Sequence, residues 1–315
     1  MKIGTRNIPQ RIYRKVRIVL RDIVRKQLRV KIAFTAPSPQ ANNDGSFSPH
    51  GLACHRDLLL TVCSCKALNL AASEALPWIF HDDGSLTLDD CRLLKHQFPG
   101  CRVILRPESD AAYASSFTQF EQLTLLRRRH LMLLKLADLY VYSSRERILY
   151  CDSDVLFLKR PTFLLSCLEN STKVNYFNKD IGTSYIASPS VIQELTGIEP
   201  ADRINAGLSA LTRADISLDK VEAVLRNLDV SRYNAWSYYN HLIEQTTVAV
   251  LMNVSENGYS HLPKDYDVCS DSPLNQLTAK HYVGKIRHQY ELEGLNYLIK
   301  NASFLERWSD FTQSR

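Results

Sequence analysis

Apolar residues along this chain alternate between short unbroken runs and helical spacing. The short runs predict strands at Asp57–Cys65, Pro77–Phe80 and Cys101–Leu105. The helical spacing predicts helices over 66–76 and 86–98, the second with Thr87 as a candidate N-cap and Asp90 three residues later. This β-α-β-α-β order predicts an α/β fold, with a mainly parallel mixed sheet flanked by helices.

The alternation continues through the second half of the chain. A long helix is predicted over 121–139, directly before a buried strand at Ile148–Tyr150. Further strands are predicted near Val174–Phe177, Ser184–Ala187, Arg203–Leu211 and Val248–Met252. Helices are predicted over 217–228 and Trp236–Thr247. The sheet is therefore expected to extend across the middle of the chain.

The amino-terminal segment has a different character from the rest. Over residues 8–31, Ile12, Val16, Val19, Leu20, Ile23 and Val24 lie at helical spacing, and arginines fill the other side. This predicts a basic amphipathic helix within a head at 1–35, followed by a linker at 36–53, a body at 54–290 and a helical tail at 291–315. Two interpretations stay open: the helix lies on an anionic membrane surface, or it packs on the body with its basic face solvated.

Charge and cysteine content narrow the function class. The chain has 315 residues and a net charge of +6, yet residues 1–31 hold eleven Lys/Arg against one acid, so the remainder is net acidic. The body therefore lacks the clustered positive charge that is typical of nucleic-acid-binding proteins, and no nucleic-acid partner is expected. The eight cysteines show no zinc-ligand spacing, and no run has the length of a signal-peptide core or a membrane span. A cytoplasmic location is expected, with peripheral attachment to the inner face of the membrane through the head.

The most informative stretch is Arg147–Leu158, where a buried strand ends at two carboxylates. Asp152 and Asp154 are two residues apart, so both can face one crevice. Two crowded carboxylates repel each other, and a divalent cation removes that repulsion while gaining hard oxygen ligands. The alternative is a turn with two solvated carboxylates, but apolar strands on both sides favour a site for Mn²⁺ or Mg²⁺.

This stretch, Arg-Ile-Leu-Tyr-Cys-Asp-Ser-Asp-Val-Leu-Phe-Leu-Lys-Arg-Pro, resembles the metal-binding motif of GT-A nucleotide-sugar glycosyltransferases. The closest type is the glycogenin-like, family-eight group. The resemblance implies a GT-A, Rossmann-like catalytic domain over 54–290. It also implies that Asp152 and Asp154 bind the metal that holds the donor's diphosphate.

Other motifs of that family follow in order along the chain. Leu134-Lys135-Leu136 matches the basic residue before the aspartates, Asn205-Ala206-Gly207 matches the donor-sugar strand, and Glu244-Gln245 stands where the family has Asp-Gln. Lys280–Lys285 resembles the closing His-x-x-Gly-x-x-Lys, with Lys directly after Gly284, so that Arg287 or His288 are alternatives for the diphosphate contact. The implied metal ligands are Asp152, Asp154 and His281, and the implied catalytic residues are Glu244 and Gln245. The implied donor-binding residues are Ser64, Asp83, Lys135, Ser153, Asn205, Gly207 and Lys285.

By this resemblance the chain is expected to transfer a hexose from a nucleotide-diphosphate sugar, expected to be a UDP-sugar, with retention of configuration. The acceptor is expected to be a glycan, a glycolipid or a lipid-linked saccharide, for example in polysaccharide or lipopolysaccharide biosynthesis, and a soluble glycan or a protein acceptor stays open. One alternative is a haloacid-dehalogenase-like phosphatase, but Leu156 stands where that pattern has Thr or Val, and Asp152 lies mid-chain. Another is a non-catalytic nucleotide-sugar-binding protein, against which the intact metal ligands argue.

Overall fold

The computed structural model describes residues 10–170, 172–228 and 242–313, with side chains from residue 19 onward. Its α-helices are α1 Gln10–Ala33, α2 Leu58–Ala72, α3 Leu88–Gln97, α4 Arg106–Ser116, α5 Glu121–Arg129, α6 Leu134–Tyr142, α7 Thr162–Glu169, α8 Pro189–Thr196, α9 Leu218–Leu228, α10 Ile243–Asn253, α11 Asn296–Lys300 and α12 Phe304–Gln313. Its strands are β1 Phe47–Ala53, β2 Ile79–Asp82, β3 Arg102–Ile104, β4 Arg147–Cys151, β5 Val155–Phe157, β6 Asn175–Lys179, β7 Ile204–Thr212, β8 Tyr259–His261, β9 Tyr266–Val268 and β10 Ala279–His281. A π-helical turn at Tyr290–Leu295 precedes α11.

Within the described residues, the main sheet has seven strands in the order β3-β2-β1-β4-β7-β6-β8. β1 to β4 are parallel, whereas β7 is antiparallel to both β4 and β6. β5, β10 and β9 form a small second sheet. The strand order turns back between β1 and β4, and such a switch point opens a crevice at the carboxyl ends of the strands. The predicted fold class, an α/β fold with a mainly parallel mixed sheet and flanking helices, is confirmed.

The first strand is not where the sequence pattern placed it. Residues 47–53, predicted as linker, form β1 in the middle of the sheet, and most of 57–65, predicted as a strand, is helix α2. Both expectations are wrong. α2 is buried at every position except Leu59, so it lacks the polar face that would reveal a helical period. β1 contains Pro49 and Gly51, which are poor strand formers, and tertiary pairing overrides their propensity.

Three further expectations are corrected. The helix predicted over 121–139 is broken into α5 and α6 by a 3-10 turn at Leu131–Leu133. Val248–Met252 belongs to α10, which is buried from Ile243 to Met252, so this apolar run resembles a buried strand in sequence. Ser184–Ala187 forms no strand; the Tyr185 hydroxyl accepts from Ile204 N of β7, and Ile186 N donates to the Thr246 hydroxyl of α10. The helix predicted at Trp236–Thr247 lies outside the described residues up to position 241, and its remaining part, from Ile243 on, is the start of α10.

Other predicted elements are present with small shifts. β2, β3, β4, β6 and β7 overlap their predicted positions, as do α3 and α9. Thr87 caps α3, since its side chain accepts from Asp90 N while the Asp90 carboxylate accepts from Thr87 N. Local capping chemistry was therefore a reliable guide to where that helix begins.

The amino-terminal helix α1 directs both basic and apolar residues toward the body and leaves other apolar residues exposed. On the side facing the body, Arg25 and Arg29 bond to the fully buried carboxylate of Glu291 in the π-helical turn. On the opposite side, Val19, Leu20, Ile23, Val24 and Val30 are 39–57% exposed. We call these five residues the α1 apolar face. No helix in the described ranges is both long and apolar enough to cross a membrane.

Candidate functional site

Two strand ladders bring the predicted metal ligands together at the carboxyl edge of the main sheet. Asp152 follows β4, which pairs with β7, and its N–H donates to Gly207 O at 2.7 Å. Asp154 directly precedes β5, whose first residue, Val155, lies opposite His281 of β10. Residues more than 120 positions apart are therefore adjacent because the backbone pairing requires it.

The three side chains form one compact cluster. Their ligand atoms all lie within 4.8 Å of one another. His281 Nε2 is 3.1 Å from Asp154 Oδ1 and 4.0 Å from Asp152 Oδ2. Gly207 leaves room for this cluster, since a Cβ at that position would overlap His281 Cε1 and lie 2.9 Å from Asp152 Oδ2. Two carboxylates and one imidazole around such a cradle fit a divalent cation of the Mn²⁺ type.

Two cationic side chains partner the carboxylates. Lys135 Nζ lies 2.9 and 3.0 Å from the two oxygens of Asp152, which also accepts from the Tyr150 hydroxyl at 2.6 Å. Arg287 Nε lies 3.1 Å from Asp154 Oδ2, and another of its nitrogens lies 3.0 Å from Asp57. The site therefore carries a positive group beside each of the two carboxylates.

Burial and neighbouring charges shift the pKa values of Lys135 and Asp154 in opposite directions. Burial disfavours the Lys135 cation, but the carboxylate of Asp152, with those of Glu244 and Asp154, outweighs burial and raises the pKa of Lys135. Burial alone would raise the pKa of Asp154, and the neighbouring His281 overcomes it and holds that pKa below its usual value. Asp154 is thus kept anionic, as a metal ligand must be.

Glu244 and Gln245 occupy the first turn of α10. Gln245 Oε1 accepts from Ala206 N at 3.2 Å, and Gln245 Nε2 donates to Ser184 O at 2.8 Å. Burial raises the pKa of Glu244 to about 7, against the opposing effect of Lys135. The α10 turn is thereby fixed to the strand that carries Asn205 and Gly207.

Two of the predicted donor-binding residues have other contacts. Ser64 lies within α2 instead of at a strand end, and its buried hydroxyl donates to Val155 O, just beyond the aspartates. Asp83 follows β2 at the carboxyl edge and accepts from the backbone and hydroxyl of Ser85. A donor-binding role for either residue stays a prediction.

The end of the closing motif is occupied by Arg287. Lys285 is exposed, whereas Arg287 reaches Asp154 and also lies 3.5 Å from the Ser153 hydroxyl. Counting His-x-x-Gly-x-x-Lys from His281 places the final basic residue at 287, so the spacing contained the signal for Arg287. Arg287, and not Lys285, therefore lies beside the predicted metal ligands, and a diphosphate contact for either residue stays a prediction.

Sequence reasoning missed three other members of the site. Tyr150 lies on β4, two residues before Asp152, and that spacing could have identified it. Asp57 escaped notice because the start of α2 was assigned to a strand. Asp180, at the end of β6, contacts Asn205 across the sheet and has no local sequence signal.

Comparison with known proteins finds similarity in structure only. No family profile matches the sequence, and neither does any curated protein. Core-mannan synthase A from Aspergillus fumigatus, in a Mn/GDP form, is 12% identical with a TM-score of 0.48, over 84% of this chain and 87% of that one. The galactosyltransferase LgtC, in complex with donor and acceptor sugar analogues, is 13% identical with a TM-score of 0.43, over 85% and 95%. Mouse xyloside xylosyltransferase 1 is 12% identical with a TM-score of 0.48, over 76% and 97%.

Two of these matched structures are named for sugar transfer, LgtC as a galactosyltransferase and the mouse protein as a xylosyltransferase. The glycogenin-like subgroup stays a prediction. Because the identities are low, the likeness concerns the backbone, and function must be argued from the side chains of this chain.

Proposed function

We propose that this protein is a metal-dependent glycosyltransferase. It would transfer a hexose from a nucleoside-diphosphate sugar, expected to be a UDP-sugar, to a glycan or glycolipid acceptor. The observation that supports this most is the meeting of Asp152, Asp154 and His281 at the switch point of the sheet. Lys135 and Arg287 add positive charge to the same edge.

The chemistry follows from the charge that develops during transfer. When the bond between the anomeric carbon and the diphosphate breaks, negative charge grows on the leaving diphosphate. A divalent cation, when bound, supplies Lewis-acid stabilisation of that charge. Lys135 and Arg287 supply N–H donors, and charge-assisted bonds to phosphate oxygens are among the stronger ones available to a protein.

The sugar side of the reaction requires support for positive charge. The donor sugar becomes oxocarbenium-like as its bond to oxygen stretches. Glu244 and Gln245, fixed beside the Asn205–Gly207 strand, are proposed to orient the sugar and to stabilise that charge. We propose retention, with the acceptor attacking from the face that the diphosphate leaves. Proton NMR of the first-formed product tests this, and an inverted anomer after one transfer would disprove it.

The decisive experiment is thermal melting with a panel of nucleoside diphosphates and nucleotide sugars, with and without MnCl₂. One nucleoside diphosphate should raise the melting temperature only in the presence of Mn²⁺, and Asp154→Ala should abolish that rise. Asp89→Ala is the matched control, because Asp89 is exposed on α3 away from the site, and it should behave as wild type. A response that Asp154→Ala leaves intact would exclude a donor site here.

A second assay separates the alternatives. With Mn²⁺, a glycosyltransferase slowly releases nucleotide from its nucleotide sugar even without acceptor. A phosphatase would instead hydrolyse phosphomonoesters, and a binding protein would do neither. Nucleotide release that is lost in Asp152→Ala and in Asp154→Ala would support transfer.

The α1 apolar face supports an acceptor at a membrane surface, as in a glycolipid or a lipid-linked saccharide. Exposed Lys26 and Lys31 lie on either side of this face, so apolar and basic groups point outward together. We propose peripheral attachment to the anionic inner face of a membrane. Each basic residue near such a surface contributes about 1 kcal/mol, so Lys26→Gln with Lys31→Gln should weaken binding by about 30-fold.

Vesicle sedimentation tests this attachment. Wild type should bind vesicles that contain anionic lipid much better than neutral vesicles, and Ile23→Asp should lose binding. Leu88→Asp is the control, since Leu88 is 73% exposed but lies on α3. Equal binding by Ile23→Asp and wild type would exclude the α1 apolar face as the contact.

A further inference from the structure

The imidazole of His281 has a second partner besides Asp154. Its Nε2 faces Asp154 Oδ1 at 3.1 Å, while its Nδ1 lies 2.9 Å from Asn205 Oδ1. Asn205 Nδ2 in turn lies 3.4 Å from Asp180 Oδ2. Asn205, His281 and Asp180 are each at least nine-tenths buried, so these contacts are shielded from water.

The partners of Asn205 fix which way its amide points. The carboxylate of Asp180 only accepts hydrogen bonds, so the amide nitrogen must face it. The N–H of Gly207 only donates, and it lies 3.2 Å from Asn205 Oδ1, so the amide oxygen must face that side. Asn205 Oδ1 is therefore an acceptor toward His281, and the proton of the imidazole sits on Nδ1. Nε2 faces the acceptor Asp154 Oδ1, and it is the nitrogen that would give up its proton to offer a lone pair to a bound cation.

We propose that Asn205 and Asp180 are positioning residues that hold His281 in the tautomer and orientation needed to ligate a divalent cation. A ligating histidine commonly donates its other ring N–H to an acceptor that sets its orientation, and loss of that partner typically weakens metal affinity by about 10–100-fold. The inference rests on the proposed metal-dependent function. It differs from the donor-sugar role that the resemblance implies for Asn205.

Backbone pairing explains why these residues meet. Asn178 of β6 lies opposite Asn205 of β7, and Asp180 follows two residues later, where its N–H donates to Arg203 O at 2.8 Å. Asp180 Oδ1 accepts from Ile181 N at 2.8 Å, which leaves Oδ2 for Asn205. The pairing of β6 with β7 therefore fixes the positions of Asp180 and Asn205 relative to each other.

The test measures Mn²⁺ binding to the full chain by calorimetry with MnCl₂ alone. Asn205→Ala should weaken Mn²⁺ binding by about 10–100-fold. Asp180→Ala should weaken it less, because Gly207 N–H still holds the Asn205 oxygen. Asn178→Ala is the matched control, a buried asparagine on the neighbouring strand, and its Mn²⁺ affinity should stay that of wild type.

A reciprocal exchange distinguishes positioning from loss of structure. In the double variant Asp180→Asn with Asn205→Asp, the amide at 180 donates to the carboxylate at 205, which accepts from both Gly207 and His281. The total charge is unchanged, so Mn²⁺ affinity should return close to wild type. In Asn205→Asp alone, two carboxylates face each other at the 3.4 Å contact, so this variant should be less stable than the exchange.

The Mn²⁺ affinities of these variants either support or overturn the positioning role of Asn205. Wild-type Mn²⁺ affinity in folded Asn205→Ala, or no recovery in a folded reciprocal exchange, would overturn the inference. A rise in donor KM without any change in Mn²⁺ affinity would assign Asn205 to the sugar instead. If wild type itself binds no Mn²⁺, the proposed metal-dependent function fails, and that result is distinct from a failure confined to Asn205.

Discussion

Arg287 and Asp154 form an ion pair, with the guanidinium Nε 3.1 Å from carboxylate Oδ2. The other oxygen of the same carboxylate faces His281 at 3.1 Å. Asp154 is therefore shared between an organic cation and a predicted metal-binding cluster. A divalent ion and Arg287 would compete for this carboxylate, whereas a diphosphate would attract both.

Arg287→Ala should separate the competition between Arg287 and a metal ion from the attraction of Arg287 for a diphosphate. Without competition from the guanidinium, Mn²⁺ alone should bind as well as or better than in wild type. A nucleoside diphosphate with Mn²⁺ should bind about 10–100-fold more weakly, because a charged hydrogen bond contributes roughly 1.5–3 kcal/mol. Calorimetry measures both. Lys285→Ala is the control, since Lys285 is exposed, and an equal loss in that variant would contradict the assignment of Arg287.

Gly207→Ala should damage the site without removing any of its polar groups. The added Cβ would overlap His281 and press on Asp152, so the metal ligands must shift. Activity and Mn²⁺ affinity should both fall by more than tenfold, and overpacking should cost about 1–3 kcal/mol of folding free energy. Gly45→Ala, where the nearest atom is 3.9 Å away, should be near neutral in both assays. Normal Mn²⁺ binding by Gly207→Ala would show that the ion does not bind between Asp152, Asp154 and His281.

Glu244→Gln should alter the pH dependence of stability in the absence of divalent cations. Burial raises the pKa of Glu244 to about 7 in the folded protein, from an ordinary value of 4.5. The folded state therefore holds this proton more tightly, and its stabilising contribution is lost as pH rises from about 4.5 through 7. Relative to wild type, Glu244→Gln should be more stable by up to roughly 3 kcal/mol at pH 8 and by less than about 1 kcal/mol at pH 5. Urea unfolding at both pH values gives the comparison, and a pH-independent difference would refute it.

Glu291→Ala should release the amino-terminal helix from the body. Glu291 is fully buried and accepts from Arg25 Nε at 3.0 Å and from Arg29 Nε at 2.6 Å. Removing it takes the carboxylate from Arg29 and leaves Arg25 with the exposed Asp22 only, which should cost about 2–4 kcal/mol because both guanidinium groups remain partly exposed. Trypsin should then cleave within residues 10–33 more readily. Asp22→Ala is the control, because the Asp22 carboxylate is 58% exposed, and it should change the free energy of unfolding by less than about 0.5 kcal/mol. Equal rates of cleavage in the two variants would contradict a role of Glu291 in holding α1 on the body.

The sequence predicted elements well where their burial pattern is local. β4 was found because an apolar run ends abruptly at Asp152. α3 was found because Thr87 and Asp90 form a capping box. β1 was missed because its strand state depends on pairing with β2 and β4, which residues such as Pro49 and Gly51 do not indicate.

In the site, too, the residues that belong to short sequence motifs were predicted, whereas a residue placed only by tertiary contacts was not. Asp152, Asp154 and His281 were each predicted, and the structure brings them together. Asp180 could not be predicted, because its contact with Asn205 depends on a register shift between β6 and β7 at Phe177/Asn178. A register shift of this kind is set by tertiary packing, and no short motif encodes it.

The central position of β1 has a practical consequence for how this protein can be produced. A shortened chain that begins at residue 54 would follow the boundary suggested by sequence composition, yet it would lack the strand that pairs with both β2 and β4. Each of those strands would then present a row of unpaired N–H and C=O groups, and such open edges pair with other molecules. Recombinant material cut at that point should therefore aggregate, and recombinant forms should begin well before Phe47.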